Sequence, residues 1–202
     1  AGILLEEIKN SLKEKKIVAQ FHEWLAGGGL LYLKSKGIKI GTVFTTHATM
    51  LGRTLATAHQ DVYGLLDKIN PYEKAKEFGI QAKHFTEKAC AEQSDAFTTV
   101  SEITGIEATH FYGKKPDLLL PNGLDIQRFP TFDESSIKHK QLKTKLKKFL
   151  VAYFFPYYQF DLEDTLFFFF AGRYEFHDKG IDLFIKALGK LNEELKKNHP
   201  EK

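Results

Sequence analysis

Residues 17–46 read IVAQFHEWLAGGGLLYLKSKGIKIGTVFTT. A β-rich run, 17–21, leads into a helix-period segment, 22–36, and a second β-rich run follows at 38–45. Parallel strands cannot be joined by a tight turn and need a crossover of a dozen or more residues, usually a helix. The stretch therefore predicts a strand–helix–strand unit. The alternation continues outward, with strands expected at 96–100, 117–120 and 165–170. Amphipathic segments are expected at 81–93, 101–112 and 181–196, the last with Leu183, Phe184, Ala187, Leu188 and Leu191 on one face. Such alternation predicts an α/β fold with an open, mainly parallel sheet. The final expected strand ends in four consecutive phenylalanines, Phe167 to Phe170. A strand buried on both faces needs no polar alternation, so this run predicts a central, fully covered strand.

A long helical pattern at 133–153 carries lysines at 138, 140, 143, 145, 147 and 148. It begins shortly after the turn-like PNGLD at 121–125, and FPYY and FDLED follow it. A domain change is therefore expected near Pro130, dividing the chain into residues 1–130 and 131–202. The lysines read first as a solvated helix face. No aromatic–basic interleaving of the kind that binds single-stranded nucleic acid accompanies them.

The 202 residues, 43% hydrophobic and 27% charged, are enough to bury a core, and a net charge of +3 selects no class of partner. The lone Cys90 excludes an internal disulfide framework, which points to a reducing, cytoplasmic setting. Apolar stretches fall short of the roughly 20 residues of a membrane helix. The opening AGILLEEIKNSLKEKK lacks a signal-peptide layout. With no initiating Met and an end, KKNHPEK, directly after a helical pattern, the chain is expected to be a piece of a longer one.

Ligands of open α/β sheets bind beyond the carboxyl ends of the strands. Those ends carry His22-Glu23-Trp24, then Thr46-His47-Ala48-Thr49 with Gly52-Arg53, then Pro121-Asn122-Gly123, and finally Gly172-Arg173 with Lys179 six positions on. Each has a plain structural alternative. His47 reads as a hydrogen-bonded structural histidine, Glu23 as an acid answering a helix dipole, and Asn122-Gly123 as a turn. Arg173 and Lys179 read as solvated charges, yet they stand between a strand and a helix, where cations and backbone amides cooperate on phosphate. The glycines of AGGGLL form no G-x-G-x-x-G, and there is no Walker loop, H-E-x-x-H, cysteine pair or Asp-x-Asp. A bound diphosphate would then be met by Arg and Lys, without a metal or other cofactor.

Taken together, FHEWLAGGGLLYL (21–33), GTVFTTHATMLGR (41–53), DAFTTVSEITGIEATHF (95–111), PNGLDIQRF (121–129) and AGRYEFHDKGIDLFIKALGKLN (171–192) resemble the UDP-glucose-using glycogen synthases of eukaryotes and some prokaryotes. The resemblance runs almost end to end, in family order. It implies a GT-B glycosyltransferase of two Rossmann-like halves, of which this chain holds the later part of the first and the opening of the second. It implies retaining transfer of glucose from UDP-glucose to the 4-hydroxyl of an α-1,4-glucan. Arg173 and Lys179 match the pair on the donor diphosphate, His47 the histidine beside the transferred glucose, and Arg53 the arginine of the same loop. Glu23 matches an acid lining the sugar site and Asn122 a cleft residue at the crossover. The implied partners are UDP-glucose, the glucan and, in the full-length protein, further copies of itself, with neither nucleic acid nor membrane.

Two departures matter. The family's glycine-rich loop and its acidic motif of two glutamates are missing; the similarly spaced Glu6/Glu14 and Glu193/Glu201 lack its surroundings. The isolated chain is therefore expected to be inactive. Where eukaryotic members place His, Gln and His for glucose-6-phosphate, this chain has Asp133, Ser136 and His139, so little activation by that sugar is expected. Two other readings stay open. One is a nucleotide-sugar-binding module without chemistry; the other is a related GT-B transferase such as a sucrose or trehalose-phosphate synthase.

Overall fold

The computed structural model describes residues 1–12, 15–159, 161–162 and 165–198. Glu14, Phe160, Glu163, Asp164, Glu201 and the rest of the tail from 199 lie outside the described residues, as does the side chain of Asp133. The chain divides into two compact units, Ala1–Asn122 and Gly123–Lys202.

The first unit is an α/β layer built on four parallel strands, β1 (Val18–His22), β2 (Gly41–Thr46), β3 (Ala96–Thr99) and β4 (Leu118–Leu119), in the order β1-β2-β3-β4. Helix α1 (Gly2–Ser11) precedes them and α2 (Glu23–Ser35) crosses from β1 to β2. Helices α3 (Met50–Thr57), α4 (Pro71–Glu77) and α5 (Gln81–Gln93) lie between β2 and β3, and α6 (Glu102–Tyr112) leads to β4. Each strand expected in 1–122 is present. The last is cut to two ladder residues, although Asp117 N–H and Leu120 N–H still donate to Phe97 and Thr99 carbonyls at 2.7 and 2.8 Å.

Local chemistry sets the helix starts. The Thr49 hydroxyl accepts from Gly52 N–H at 2.9 Å, Asn70 caps α4 ahead of Pro71, and Ser101 accepts from Thr104 N–H at 3.3 Å. Phe44 and Phe97 stack across neighbouring strands at 6.0 Å, packed with Leu30, Leu33, Leu51 and Tyr112. Polar groups cross this core in a chain: Gln20 Nε2 donates to Thr45 Oγ1 at 2.8 Å, and Thr45 Oγ1 lies 2.8 Å from Thr98 Oγ1. Satisfied in this way, buried threonines do not weaken the sheet.

The AGGG segment has a packing role. A Cβ on Gly27 would stand 2.6 Å from Cys90 Sγ, so glycine is what lets α2 lie directly against α5. Cys90 is buried and free, and burial, with the nearby Glu87 charge, pushes its thiol up to about 12. It is an inert core residue.

The second unit contains α7 (Phe132–Phe154), opened by a Thr131/Glu134 capping box, and α8 (Ile181–Asn198). Here one expectation fails. Residues 165–170 form no strand, and Phe168 and Phe169 are 54% and 81% exposed. A strand exists only through its neighbours' hydrogen bonds, and no strand is described elsewhere in that unit for this run to pair with. The amphipathic faces are likewise uncovered. Leu142, Phe149, Tyr153 and Leu183 are exposed, and all buried residues lie in the first unit among those described. No described helix is long and apolar enough to cross a membrane.

Candidate active site

The ends of β1 and β2 pair in register, which sets His22 opposite Thr45 and brings the next residues of both strands together. Glu23 Oε1 accepts the backbone N–H of His47 at 2.7 Å. His22 Nδ1 lies 2.9 Å from His47 Nε2, with ring centroids 5.1 Å apart. From α6, the Thr104 hydroxyl donates to the His47 carbonyl at 3.3 Å. His47 is thus tied through its amide, its carbonyl and its ring. Glu23 has φ 60°, a left-handed backbone that a non-glycine residue adopts at a cost of about 1–3 kcal/mol. The strain turns its carboxylate back onto the neighbouring strand end.

Two buried carboxylates hold the loop that follows. Glu87 of α5 accepts from Met50 N–H at 3.0 Å and from Tyr112 O–H at 2.7 Å. Glu107 of α6 accepts from Thr49 O–H at 2.7 Å and from Tyr63 O–H at 2.5 Å. The first turn of α3, which carries Arg53, is therefore seated on acids from two other helices. Burial pushes Glu87 up to about 7; its two hydrogen bonds and the Arg53 charge work the other way, while the Glu23 charge adds to the rise. Burial, then the Glu107 hydrogen bond, raises the Tyr63 hydroxyl strongly.

Gly52 sits where this seat leaves no room. A Cβ there would lie 2.2 Å from Glu107 Oε2 and 2.6 Å from Thr49 Oγ1. Glu107 is pinned by Tyr63 and Thr49 and cannot swing aside. Gly52→Ala is expected to destabilise the first unit by about 1–3 kcal/mol, the usual cost of overpacking. Urea unfolding followed by the fluorescence of Trp24, the chain's single tryptophan, measures it. An unchanged midpoint would contradict the tight seat.

Of the other residues singled out in the sequence, Arg53 is exposed on α3, its charge within reach of Glu87, and Asn122 is exposed just past β4. Arg173 and Lys179 belong to the second unit. They do not stand at a strand end, since no strand forms there, but on a turn leading into α8. Both cations face one carboxylate: Arg173 Nη2 is 3.2 Å from Glu175 Oε1, and Lys179 Nζ is 3.9 Å from Glu175 Oε2. The turn is closed by Glu175 N–H to the Arg173 carbonyl (2.8 Å) and Lys179 N–H to the Glu175 carbonyl (3.0 Å). His177 Nδ1, 3.2 Å from Asp182 Oδ2, ties it to the first turn of α8.

A family model described as glycogen synthase matches residues 1–202. The chain belongs to the glycogen synthase family. Among curated relatives it is 44% identical to the liver glycogen [starch] synthase of Rattus norvegicus over 188 residues, 93% of this chain and 27% of that protein. It is 45% identical to glycogen [starch] synthase isoform 2 of Saccharomyces cerevisiae over 193 residues, 95% of this chain and 27% of that one. With the glycogen [starch] synthase of Neurospora crassa the identity is 45% over 184 residues, 91% and 26% of the two chains. The chain thus spans about a quarter of the length of the glycogen synthases it matches.

In this member of the glycogen synthase family, Glu87 and Glu107 are not among the site residues read from the sequence. A signal was present. Each stands on the buried stripe of its helix, with His84, Cys90 and Ala91 on α5 and with Thr104, Ala108 and Phe111 on α6. A carboxylate at such a position must be holding something.

Proposed function

We propose that this chain is part of a retaining glucosyltransferase that moves glucose from UDP-glucose to the 4-hydroxyl of an α-1,4-glucan. The first unit belongs to the N-terminal Rossmann-like half of a GT-B enzyme, with the change of domain near Pro130, and the remainder opens the nucleotide-sugar half. The observation that carries this reading is the convergence of Arg173 and Lys179 on the single carboxylate of Glu175. Two cation heads within reach of one small anion are what a diphosphate needs, and the donor's phosphates would take them over from Glu175. Family membership supports the assignment, and the relatives are named for the synthesis of glycogen or starch.

As the glycosidic bond of the donor breaks, positive charge develops at the sugar and negative charge on the departing UDP. Fixed cations that meet the second charge lower the barrier without reorganising. Arg173 supplies a planar fork that suits phosphate oxygens, and Lys179 a compact point charge. The family resemblance gives Arg53 and Asn122 substrate-binding roles as well. His47, clamped through its amide and carbonyl, orients the glucose, and Glu23, one of whose oxygens holds the His47 amide, offers the other to a sugar hydroxyl.

Incorporation of labelled glucose into glycogen by a full-length enzyme bearing this segment tests the reading. Transfer from UDP-glucose is expected, and none from the 202-residue chain alone. A full-length protein that binds UDP without transferring glucose would overturn the catalytic assignment. Transfer by the isolated chain would overturn its expected inactivity.

A further inference from the structure

The dipeptide at the end of β1 grips His47 twice. Glu23 takes the backbone amide, and His22 takes the ring, through Nδ1 at 2.9 Å from His47 Nε2. We propose that His22 is a positioning residue that commits Nε2 of His47 to an imidazole–imidazole hydrogen bond and so leaves Nδ1 as the nitrogen that faces a ligand.

The argument follows from what an imidazole can do. A neutral ring has one N–H and one bare nitrogen, and which nitrogen carries the proton is set by the bond the other makes. Between His22 and His47 a single proton lies on the line joining the two nitrogens, donated by one ring and accepted by the other. Whichever ring donates, His47 Nε2 is occupied and its tautomer is tied to that of His22. The rings are tilted by 38° rather than stacked, so the contact is made through the nitrogens. The amide and carbonyl anchors fix the backbone of His47 but leave its ring rotation free. The His22 hydrogen bond restrains it. It also stands in register with Thr45, inside the β1–β2 ladder, so its own position is set by strand pairing. The kinetic consequence rests on the proposed function; the hydrogen bond does not.

The test has two arms. In long-range proton–nitrogen spectra of the 202-residue chain, His47 is expected to show one tautomer with Nε2 engaged. His22→Phe, which keeps a ring but removes the nitrogen, is expected to give the exchanging mixture of a free imidazole. His22→Asn, whose amide reaches the place of Nδ1, is expected to restore the single form. Equal His47 signatures in the wild type and His22→Phe would overturn the proposal. Should His22→Phe lose the native Trp24 emission, the wild-type spectrum decides alone, and a freely exchanging His47 there would overturn it. In the full-length enzyme, His22→Phe is expected to lower kcat about tenfold with KM within about twofold, and His22→Asn to recover most of the loss, as for a group that aligns another. An unchanged kcat would overturn the positioning role. A wild-type enzyme with no glucosyl transfer would dismiss the proposed function and leave the spectroscopic result standing.

Discussion

Replacing Arg173 with Ala in the full-length enzyme is expected to lower turnover about 10²–10³-fold, the usual loss when one preplaced group facing transition-state charge is removed. The turn would survive the change, because it is held by backbone bonds from Glu175 to Arg173 and from Lys179 to Glu175 and by the His177–Asp182 contact. The Arg173 side chain is 66% exposed and no buried residue is described in its unit, so the folded population should not change. Lys179 alone would meet the leaving phosphates, with Glu175 now opposing it. Arg173→Lys keeps the charge but loses the fork, and should recover only part of the rate. Steady-state kinetics with UDP-glucose and glycogen provide the measurement. Turnover within about twofold of the wild type would remove Arg173 from the diphosphate site.

The second large effect concerns stability and pH, and it arises from two groups one helical turn apart on α5. Glu87 is buried, one of its oxygens has no hydrogen-bond partner, and burial pushes it from 4.5 up to about 7. His84, three residues earlier, is equally buried with Nδ1 unpartnered, and burial, aided by the Lys88 charge, brings it from 6.5 down to about 4. Both touch Tyr112, through its hydroxyl for Glu87 and its ring for His84.

The signs oppose. Glu87 holds its proton longer in the folded state, so its contribution is fully present below 4.5 and is lost as pH rises through about 7. His84 gives up its proton more readily when folded, so its contribution is present above 6.5 and is lost as pH falls through about 4. Between 4.5 and 6.5 the folded state holds one extra proton on Glu87 and lacks one on His84, and the two slopes cancel. Glu87→Gln should therefore gain stability on the wild type as pH rises from 4.5 to 7, by about 3 kcal/mol in all, the free energy equivalent of that displacement. His84→Phe should show its gain at the acid end, fading by 6.5. Urea midpoints from pH 4 to 8, read by Trp24 emission, give the difference curves. Flat differences would mean that neither group carries a perturbed proton.

Much of the first unit was legible from periodicity. Strands 17–21, 38–45 and 96–100 and the helices that follow them recur within a few residues as β1 to β3, α2, α5 and α6. Chain-local patterns suffice there, because a β-rich run followed by a helix period has one parallel solution and the partner strands lie in the same unit. The phenylalanine run 167–170 is the counter-example. Its composition announces burial on both faces, but burial is a property of neighbours, and none is described beside it in the second unit. Arg173 therefore does not follow a buried strand, and what holds it must lie in the turn itself.

The candidate site divides in the same way. Glu23, His47 and Arg53 could be picked from the sequence because they follow strand ends, and the family wording of FHEW and TTHAT-x-LGR placed them together. Their residue types, order and strand-end positions are properties of the sequence alone. Only the tertiary structure decided which of them touch. Parallel register set His22 and Glu23 against His47, and close packing of α5 and α6 brought Glu87 and Glu107 under α3, where Gly52 leaves the room. The physical reason is range. Helix and strand preferences are set by neighbours within a few residues, whereas these contacts join positions 24 to 58 apart, which no local pattern can specify.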